Sequence, residues 1–397
     1  MEKETLIGMI RHGGITHPSV FHADDVLATC LIRLIDKKFS VKRTNDVPDG
    51  FKGVIYDIGW GRYDHHQKNA ELRANGIKYA AFGLLWRDLW SEFMDEEHAQ
   101  LFDSIFVSEI DRCDNSSDTN LLSSSIEAFN PPWNSDDDED TRFEEAVRTF
   151  TPVLKNIIKY YACHNFIPRY VGSIECDINQ ALKNICQEMG FNINIDLYEK
   201  PEENYYSCCI GILENEETPL FVNSFLSKVN NGYGKFKTSP FIISMYCIRK
   251  ELRIKTLQTI MTHRLEKINA LVPAQAECEK FYQAAKDKNI VIFDRYIPMT
   301  SMTSKHLNVK FIIYPSGREG YNILCADMCE KEKMDLSIPK NKNAKRIYFP
   351  EDLRGKDETF LLTYSDGLKF VHPAGFIASC DSEKNAIIFA KKVLNTI

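Results

Sequence analysis

Histidine and aspartate side chains concentrate near the start of the chain, where their types and spacing could bind metal ions. Five of the ten histidines fall within the first 66 residues and are interleaved with aspartates. Imidazole nitrogens and carboxylate oxygens together suit a divalent transition ion, with manganese favoured among Mn, Co, Zn and Mg. Two such ions about 3.5–4 Å apart can activate a water and hold both oxygens of a phosphoryl displacement. The residues that suggest this chemistry are His17, His22, Asp24, Asp57 and His65.

Strand ends and loops of an α/β fold would have to position these side chains. The apolar run at residues 6–10 indicates a first strand, and the apolar stripe over 24–34 indicates a first helix. The run at residues 54–58 indicates a further strand, and Asp57 lies near its end. Since the carboxyl ends of strands in an open parallel sheet face one crevice, the His-bearing segments are expected to converge on one rim.

A different explanation of the same pattern is a set of surface histidines with helix-capping aspartates. Against it stands the position of Asp57, a strand-end carboxylate between two His-bearing segments. A carboxylate in that position fits a ligand shared between two ions. The pattern therefore favours a metal site.

The whole chain is predicted to be an α/β protein of more than one domain. Its 397 residues exceed the length of a usual single domain. Alternating strand-like and helix-like patterns favour a mainly parallel sheet in residues 1–130. A linker and bridging helix are predicted over 131–165, and an inserted subdomain of unknown role over 166–250. Residues 251–397 are predicted to form a smaller C-terminal α/β or α+β domain.

Composition and charge restrict the possible functions. The net charge of -7 excludes a whole-protein basic field for sequence-blind DNA binding. The 12 cysteines form no CxxC pair, which excludes a zinc ribbon, and their scatter is typical of reduced cytosolic thiols. We expect a cytoplasmic protein without a signal peptide, a membrane span or a membrane partner.

The triplet Asp64-His65-His66 resembles the signature of the DHH phosphoesterase superfamily. Its context resembles the melanocyte-proliferating-gene (MYG-type) exonuclease family within that superfamily. The resemblance covers roughly residues 6–165 and 255–395. The motifs that carry it are, in order, Phe21-His22-Ala23-Asp24-Asp25, Tyr56-Asp57-Ile58-Gly59, Asp64-His65-His66-Gln67, Ile110-Asp111-Arg112-Cys113-Asp114-Asn115 and Phe370-Val371-His372-Pro373-Ala374-Gly375.

This resemblance implies an N-terminal DHH-type domain with a two-metal site. Asp57 would be the bridging ligand, His66 would face the scissile phosphate, and Asp64 would support the histidines. Asp111 is preferred over Asp114, which would instead cap a turn. The metal ligands implied by the resemblance are His17, His22, Asp24, Asp57, His65 and Asp111.

The resemblance also implies that a C-terminal domain closes over the metal site and grips the substrate backbone. The residues expected to bind substrate there are His372, Gly375, Arg295 and Arg354, with Arg318 as a further candidate. The alternatives are a strand-end histidine beside a structural turn, and ordinary surface arginines. Trp60, between two glycines near the metal residues, could stack a base or simply anchor its loop.

The implied activity is that of a divalent-metal-dependent phosphodiesterase, a 3'→5' exonuclease on single-stranded RNA that uses a two-metal-activated water. The expected cofactors are two Mn²⁺ ions, with Mg²⁺, Co²⁺ or Zn²⁺ as alternatives. The acidic pI favours a short or end-bound RNA, and an oligomer is possible. One alternative is a phosphoesterase on an oligonucleotide, a cyclic dinucleotide or pyrophosphate. A second is a non-catalytic interaction protein that retains the fold.

Overall fold

The computed structural model describes residues 3–67, 70–116, 120–163, 194–200, 205–211, 240–317, 319–329 and 345–396, with Asn184 and Glu332. It divides into an N-terminal unit, Met1–Ile268, and a C-terminal unit, Asn269–Ile397. Each unit has its own hydrophobic core. Within the described part of the chain, no helix is long and apolar enough to cross a membrane.

The N-terminal unit is built from a small sheet and many helices. The strands of this sheet are β1 (Gly14–Thr16), β2 (Val41–Arg43) and β3 (Val54–Ile55), and a separate pair is formed by β4 (Asn194–Lys200) and β5 (Tyr205–Gly211). Its helices are α1 (Lys3–Ile10), α2 (Ala23–Ile35), α3 (Ala81–Leu89), α4 (Glu96–Phe102), α5 (Ser108–Asp114), α6 (Leu121–Glu127), α7 (Glu139–Cys163), α8 (Pro240–Tyr246) and the first part of α9 (Lys250–Ala284). A 3₁₀ turn, Trp90–Glu92, follows α3, and a π-helical segment, Asp103–Val107, joins α4 to α5.

The sheet of the N-terminal unit is parallel, as the sequence predicted. β1 lies between β2 and β3, and Gly14 is in register with both Val41 and Val54. All three residues of β1 are buried. Because parallel strands end at the same edge, the loops that follow β1 and β3 leave the sheet on one side.

Helix α2 packs against α7, α3, α6 and α5 because its apolar stripe is nearly continuous. Ten consecutive residues, Ala23–Ile32, are buried, and each large aliphatic side chain among them contributes about 1.5–3 kcal/mol of burial free energy. On its outer side Arg33 donates two hydrogen bonds to Glu144 of α7, at 2.8 and 2.7 Å. These contacts join the C-terminal end of α2 to α7, while at its start, which carries Asp24 and Asp25, Asp24 Oδ2 accepts a hydrogen bond from Ala81 N at 3.2 Å.

The C-terminal unit contains a mixed sheet of five strands in the order β6-β7-β8-β10-β9. Only β6 and β7 are parallel; the other neighbours are antiparallel. The strands are β6 (Ile290–Ile292), β7 (Phe311–Pro315), β8 (Tyr321–Cys325), β9 (Leu368–Val371) and β10 (Ile377–Cys380). The helices are the remainder of α9, α10 (Thr300–Lys305), α11 (Glu358–Tyr364) and α12 (Glu383–Leu394), with a 3₁₀ turn at Glu351–Leu353. This architecture confirms the mixed α/β fold class.

The structure corrects one predicted strand and shows a strand pair within the predicted insertion. The run at residues 6–10 ends helix α1 rather than forming a strand, because Leu6 and Ile10 bury the same side of a helix at i, i+4 spacing. Within the predicted insertion, β4 (Asn194–Lys200) pairs antiparallel with β5 (Tyr205–Gly211). The helix predicted over 178–189 lies outside the described residues except at Asn184. The domain boundaries at 131, 166 and 251 stay predictions.

Candidate metal centre

The loops after β1 and β3 and the first turn of α2 carry most of the predicted metal residues. His17 follows β1 directly, and Asp57 lies two residues beyond the end of β3. His22 precedes α2, and its backbone N–H donates to Asp25 Oδ1 at 3.0 Å. This bond satisfies an amide near the helix start and fixes the Asp25 carboxylate where the helix dipole favours negative charge.

The structure brings these side chains into three groups that could each hold a cation. In every group one ligand atom per residue lies within 4.8 Å of the others. Asp57 belongs to two groups, so its two oxygens are placed for sharing between sites. The groups are Asp57 with His65 and His66, His17 with Asp25 and Asp57, and His22 with Asp24 and Asp114.

Asp57 is the central residue of the cluster. Its Oδ2 lies 3.1 Å from His17 Nε2, and its Oδ1 lies 3.0 Å from His65 Nε2. Its backbone adopts φ 59, a left-handed conformation that costs about 1–3 kcal/mol for a residue with a side chain. Such strain persists where the surroundings hold it, and it aims the Asp57 carboxylate between the two histidines.

Two further carboxylates of the cluster, those of Asp25 and Asp114, also lie beside its histidines. His17 Nε2 also lies 3.2 Å from Asp25 Oδ2, and His65 Nε2 lies 3.2 Å from Asp114 Oδ2. Asp24, Asp25, His17 and His65 are all buried, whereas His22 is exposed. The cluster therefore has a buried interior with His22 at its outer side.

Asp111, the predicted sixth ligand, lies in a different environment. Its Oδ2 accepts a hydrogen bond from Arg73 Nε at 3.2 Å, and its Oδ1 accepts one from Gly83 N at 3.1 Å. A Cβ at Gly83 would lie 1.9 Å from Asp111 Oδ2, so the absence of a side chain there permits this approach. Asp111 pairs with buried Arg73 and joins none of the three groups, whereas Asp114, one helical turn later, joins Asp24.

The two histidines of the signature triplet face different ways. The side chain of His65 is 7% exposed and that of His66 is 53% exposed. Asp64 Oδ1 lies 2.8 Å from His66 Nδ1, and Asp64 Oδ2 accepts a hydrogen bond from Trp60 N at 2.7 Å. Asp64 thus orients the His66 ring and links it by hydrogen bonds to the loop around Trp60. The Trp60 side chain is largely exposed.

Burial and mutual repulsion set the protonation of the carboxylates. Burial raises the pKa of Asp24 well above its usual value, and the charges of Asp114 and Asp57 add to this rise. Burial and the charge of Asp57 raise the pKa of Asp114 to about 8. Asp57 is also buried, but hydrogen bonds from His17 and His65 hold its pKa below its usual range. Without a cation, these carboxylates disfavour each other's charge.

The histidines respond to the same carboxylates in the opposite sense. Burial lowers the pKa of His65, but the hydrogen bond and charge of Asp57 outweigh it and raise that pKa to about 9. Burial likewise opposes protonation of His17, whose pKa is raised well above its usual value by Asp25 and Asp57. A proton on each histidine would supply positive charge that offsets the negative charge of the neighbouring carboxylates.

The donor set fits divalent cations. Asp24 Oδ1 is buried and accepts no hydrogen bond from any residue that the structure describes. A buried carboxylate oxygen without a donor costs free energy unless a cation meets it. Together with the imidazoles of His17 and His65, these oxygens form the mixed N and O set that transition ions bind. A bound cation would also favour the ionised form of the crowded carboxylates.

Sequence reasoning did not assign a role to several residues around this cluster. Asn115 Oδ1 lies 3.0 Å from His65 Nδ1, and Asn115 Nδ2 donates to Lys78 O at 3.1 Å. A partner of this kind fixes the ring and the tautomer of a metal-binding histidine. Burial lowers the pKa of Lys78, partly offset by the carboxylates of Asp114 and Asp64. The only sequence signal was the adjacency of Asp114 and Asn115.

The predicted substrate residues lie in the C-terminal unit. Gly375 adopts φ 73, and a Cβ there would lie 2.4 Å from Arg354 Nε, which donates to Phe349 O at 2.9 Å. His372 belongs to the same turn, because its O accepts from Gly375 N at 2.8 Å. Arg295 instead pairs with Glu277 and Asp294. Arg318 lies outside the described residues, and the roles of the others stay predictions.

Fold and cluster together define a mixed α/β protein with a buried acid–histidine site suited to metal-assisted chemistry. The sequence matches the MYG1 exonuclease family model, which is described as Uncharacterised protein family (UPF0160), over residues 15–174 and 235–394. These ranges cover most of the chain. The chain belongs to this family, which confirms the predicted resemblance and indicates a nuclease-type hydrolase.

Curated relatives match a smaller part of the chain. MYG1 protein C27H6.8 of Caenorhabditis elegans is 27% identical over 187 residues, which are 37% of this chain and 55% of the relative. MYG1 exonuclease of Homo sapiens is 27% identical over 195 residues, 38% of this chain and 51% of the relative. The chain thus spans about half the length of the curated relatives that it matches. No solved structure matches it.

Proposed function

We propose that this chain is a divalent-metal-dependent phosphodiesterase that acts as a 3'→5' exonuclease on single-stranded RNA. The observation that carries the proposal is the buried cluster around Asp57, in which Asp24 Oδ1 has no donor among the described residues. The family name supports an exonuclease, and the donor set supports Mn²⁺. The RNA substrate and the 3'→5' polarity are proposed from the resemblance to the MYG-type exonuclease family.

The cations would be held by residues of the three groups. We place Asp114 rather than Asp111 among the ligands, because Asp111 is committed to Arg73. We add Asp25, because its Oδ2 lies beside His17 Nε2. The proposed ligands are His17, His22, Asp24, Asp25, Asp57, His65 and Asp114.

Bound divalent ions would act as Lewis acids and lower the pKa of a bound water towards neutrality. The chain's own residues would do the remaining work. Asp57 would be shared between the two cation sites, and Asn115 would keep the ring of His65 in place. His66, exposed and oriented by Asp64, would donate to a non-bridging phosphate oxygen.

Lys78 is a basic residue next to this site, and its backbone O accepts a hydrogen bond from Asn115 Nδ2 at 3.1 Å. It is partly buried, and the carboxylates of Asp64 and Asp114 act on its charge. An ammonium in that position would offset charge that accumulates on the phosphate during cleavage. We therefore propose Lys78 as a further group that would offset charge on the scissile phosphate.

The test uses 5'-labelled single-stranded RNA with Mn²⁺ and compares wild type with Asp57→Asn. The matched control is Asp46→Asn, an exposed aspartate of the same unit. Wild type and control should yield a ladder that shortens from the 3' end. Asp57→Asn should cleave about a thousandfold more slowly, an effect of the size seen when key charge-stabilising groups are removed. Wild-type protein with bound metal but no RNA cleavage would overturn the proposal.

A further inference from the structure

A pocket of about 360 Å³ lies directly beside the signature triplet. Asp64 and His65 form one part of its lining, so it adjoins the candidate metal centre. Arg62, Tyr79 and Arg87 form much of the remainder. All of these residues belong to the N-terminal unit.

The charges around the pocket do not suit a phosphate. Arg62 donates to both oxygens of Asp88, at 2.8 and 3.0 Å, and Arg87 Nη1 pairs with Glu71 Oε2 at 2.5 Å. Each arginine is therefore already neutralised by a carboxylate. An incoming phosphate would have to compete with those carboxylates, and the Asp64 carboxylate would repel it. The pocket thus favours a neutral ligand.

The remaining chemistry suits a flat, polar, uncharged group. Tyr79 provides an aromatic ring whose centroid lies 4.1 Å from Arg73 and 5.4 Å from Arg87, while Leu84 adds an apolar wall. The guanidinium–carboxylate pairs of Arg62 and Arg87 add polar groups, and Gln67, whose Nε2 donates to Gly61 O at 2.9 Å, adds an amide. A nucleobase combines an apolar face with a polar edge of this kind.

We propose that this pocket binds the base of the nucleotide whose phosphate is cleaved. The proposal rests on the proposed function and specifies its substrate class: a phosphodiester with a nucleoside on the side of His65. A volume near the lower end of ligand pockets, which run from about 300 to 1,000 Å³, has room for roughly one nucleoside. Pyrophosphate would leave the pocket unused and would be a poor substrate.

The first test measures binding without catalysis. Adenosine and inorganic phosphate are titrated separately by calorimetry into wild type in EDTA, and into Arg87→Gln and Gln67→Ala. The matched control is Arg148→Gln, an exposed arginine of the same unit. Adenosine should bind wild type and control equally and each pocket variant about tenfold more weakly. Absent adenosine binding, equal binding by all four proteins, or tighter binding of phosphate than of adenosine would overturn the proposal.

The second test separates the pocket from the metal chemistry. With Mn²⁺, the ratio of kcat/KM for the dinucleotide ApA to that for bis(p-nitrophenyl) phosphate is measured. Wild type and Arg148→Gln should prefer ApA, and the pocket variants should lose most of that preference through KM. A ratio unchanged in the variants would contradict the pocket assignment alone. Hydrolysis of neither substrate by metal-loaded wild type would instead contradict the proposed function.

Discussion

Buried charge is handled differently in the two units of the molecule. In the C-terminal unit, Arg346 is almost fully buried and donates to Glu332 and to the carbonyls of His306 and Val309, at 2.6 to 3.2 Å. In the N-terminal unit, by contrast, Asp24 is fully buried with one oxygen that has no donor among the described residues.

The contrast distinguishes structural from functional burial of charge. A buried charge with matched partners holds elements together, and removal of one partner is costly. A buried charge without a partner reduces stability and persists where a ligand compensates for it. The comparison therefore supports the proposed metal-binding role of the cluster around Asp57 and a structural role for the Arg346 pair.

The largest expected effect separates Asp114 from Asp111 and sharpens the comparison within the N-terminal unit. Asp114→Asn should lower RNA cleavage about a hundred- to a thousandfold, because it removes a proposed ligand. Asp111→Asn should mainly lower stability, because it removes one of the two carboxylates, those of Asp111 and Asp103, that pair with buried Arg73. Cleavage rates and free energies of unfolding in denaturant, measured for both variants, distinguish loss of a ligand from loss of stability. A greater loss of cleavage in a folded Asp111→Asn than in Asp114→Asn would restore Asp111 as the ligand.

The next effect concerns the C-terminal unit. Arg346→Met should lower the free energy of unfolding by about 3–5 kcal/mol, since it leaves Glu332 partly buried without its partner. Mn²⁺ affinity, measured by calorimetry on the folded variant, should match that of wild type. Loss of metal binding in a folded Arg346→Met would break the division of roles between the units.

A smaller effect of opposite sign is expected at Asp24. In EDTA, Asp24→Asn should raise the free energy of unfolding by about 1 kcal/mol, because it removes a buried charge repelled by Asp114 and Asp57. Urea unfolding of metal-free protein measures this, with Asp46→Asn as the surface control. A clear loss of stability in EDTA would mean that Asp24 is a structural residue like Glu332.

The pH dependence of the C-terminal pair gives a further test of the comparison. Hydrogen bonds from Arg346 and Cys329 outweigh burial and hold the pKa of Glu332 at about 2, below its ordinary 4.5. A lowered folded-state pKa means that this stabilisation is present above pH 4.5 and is lost as the pH falls towards 2. Glu332→Gln should flatten the loss of stability over that window in thermal melts. An unchanged slope would contradict a strong Glu332–Arg346 pair.

Much of the candidate site could be predicted from local patterns in the sequence. The apolar stripe after residue 23 predicted helix α2, and the strand end before Asp57 predicted its place beside His17 and His65. Parallel strands end at one edge, so sequence order alone indicated which loops would meet.

The rest of the site depends on contacts between residues that are far apart in the sequence. Arg73 lies 38 residues from Asp111, and their pairing could not be inferred from the motif around Asp111. The phase of the short helix α5 then directs Asp114 to the cluster. Likewise, the short run at residues 6–10, with four hydrophobic residues and Gly8, fits a strand or a helix equally, and only packing of Leu6 and Ile10 decides between them.

The most direct test of the account is a titration of chelator-treated protein with Mn²⁺, followed by calorimetry and by the melting temperature. The account predicts saturable binding and a rise in Tm for wild type and Asp46→Asn, with both effects lost in Asp24→Asn. No binding by wild type and no rise in Tm would contradict the claim that the buried acid–histidine cluster is a metal centre.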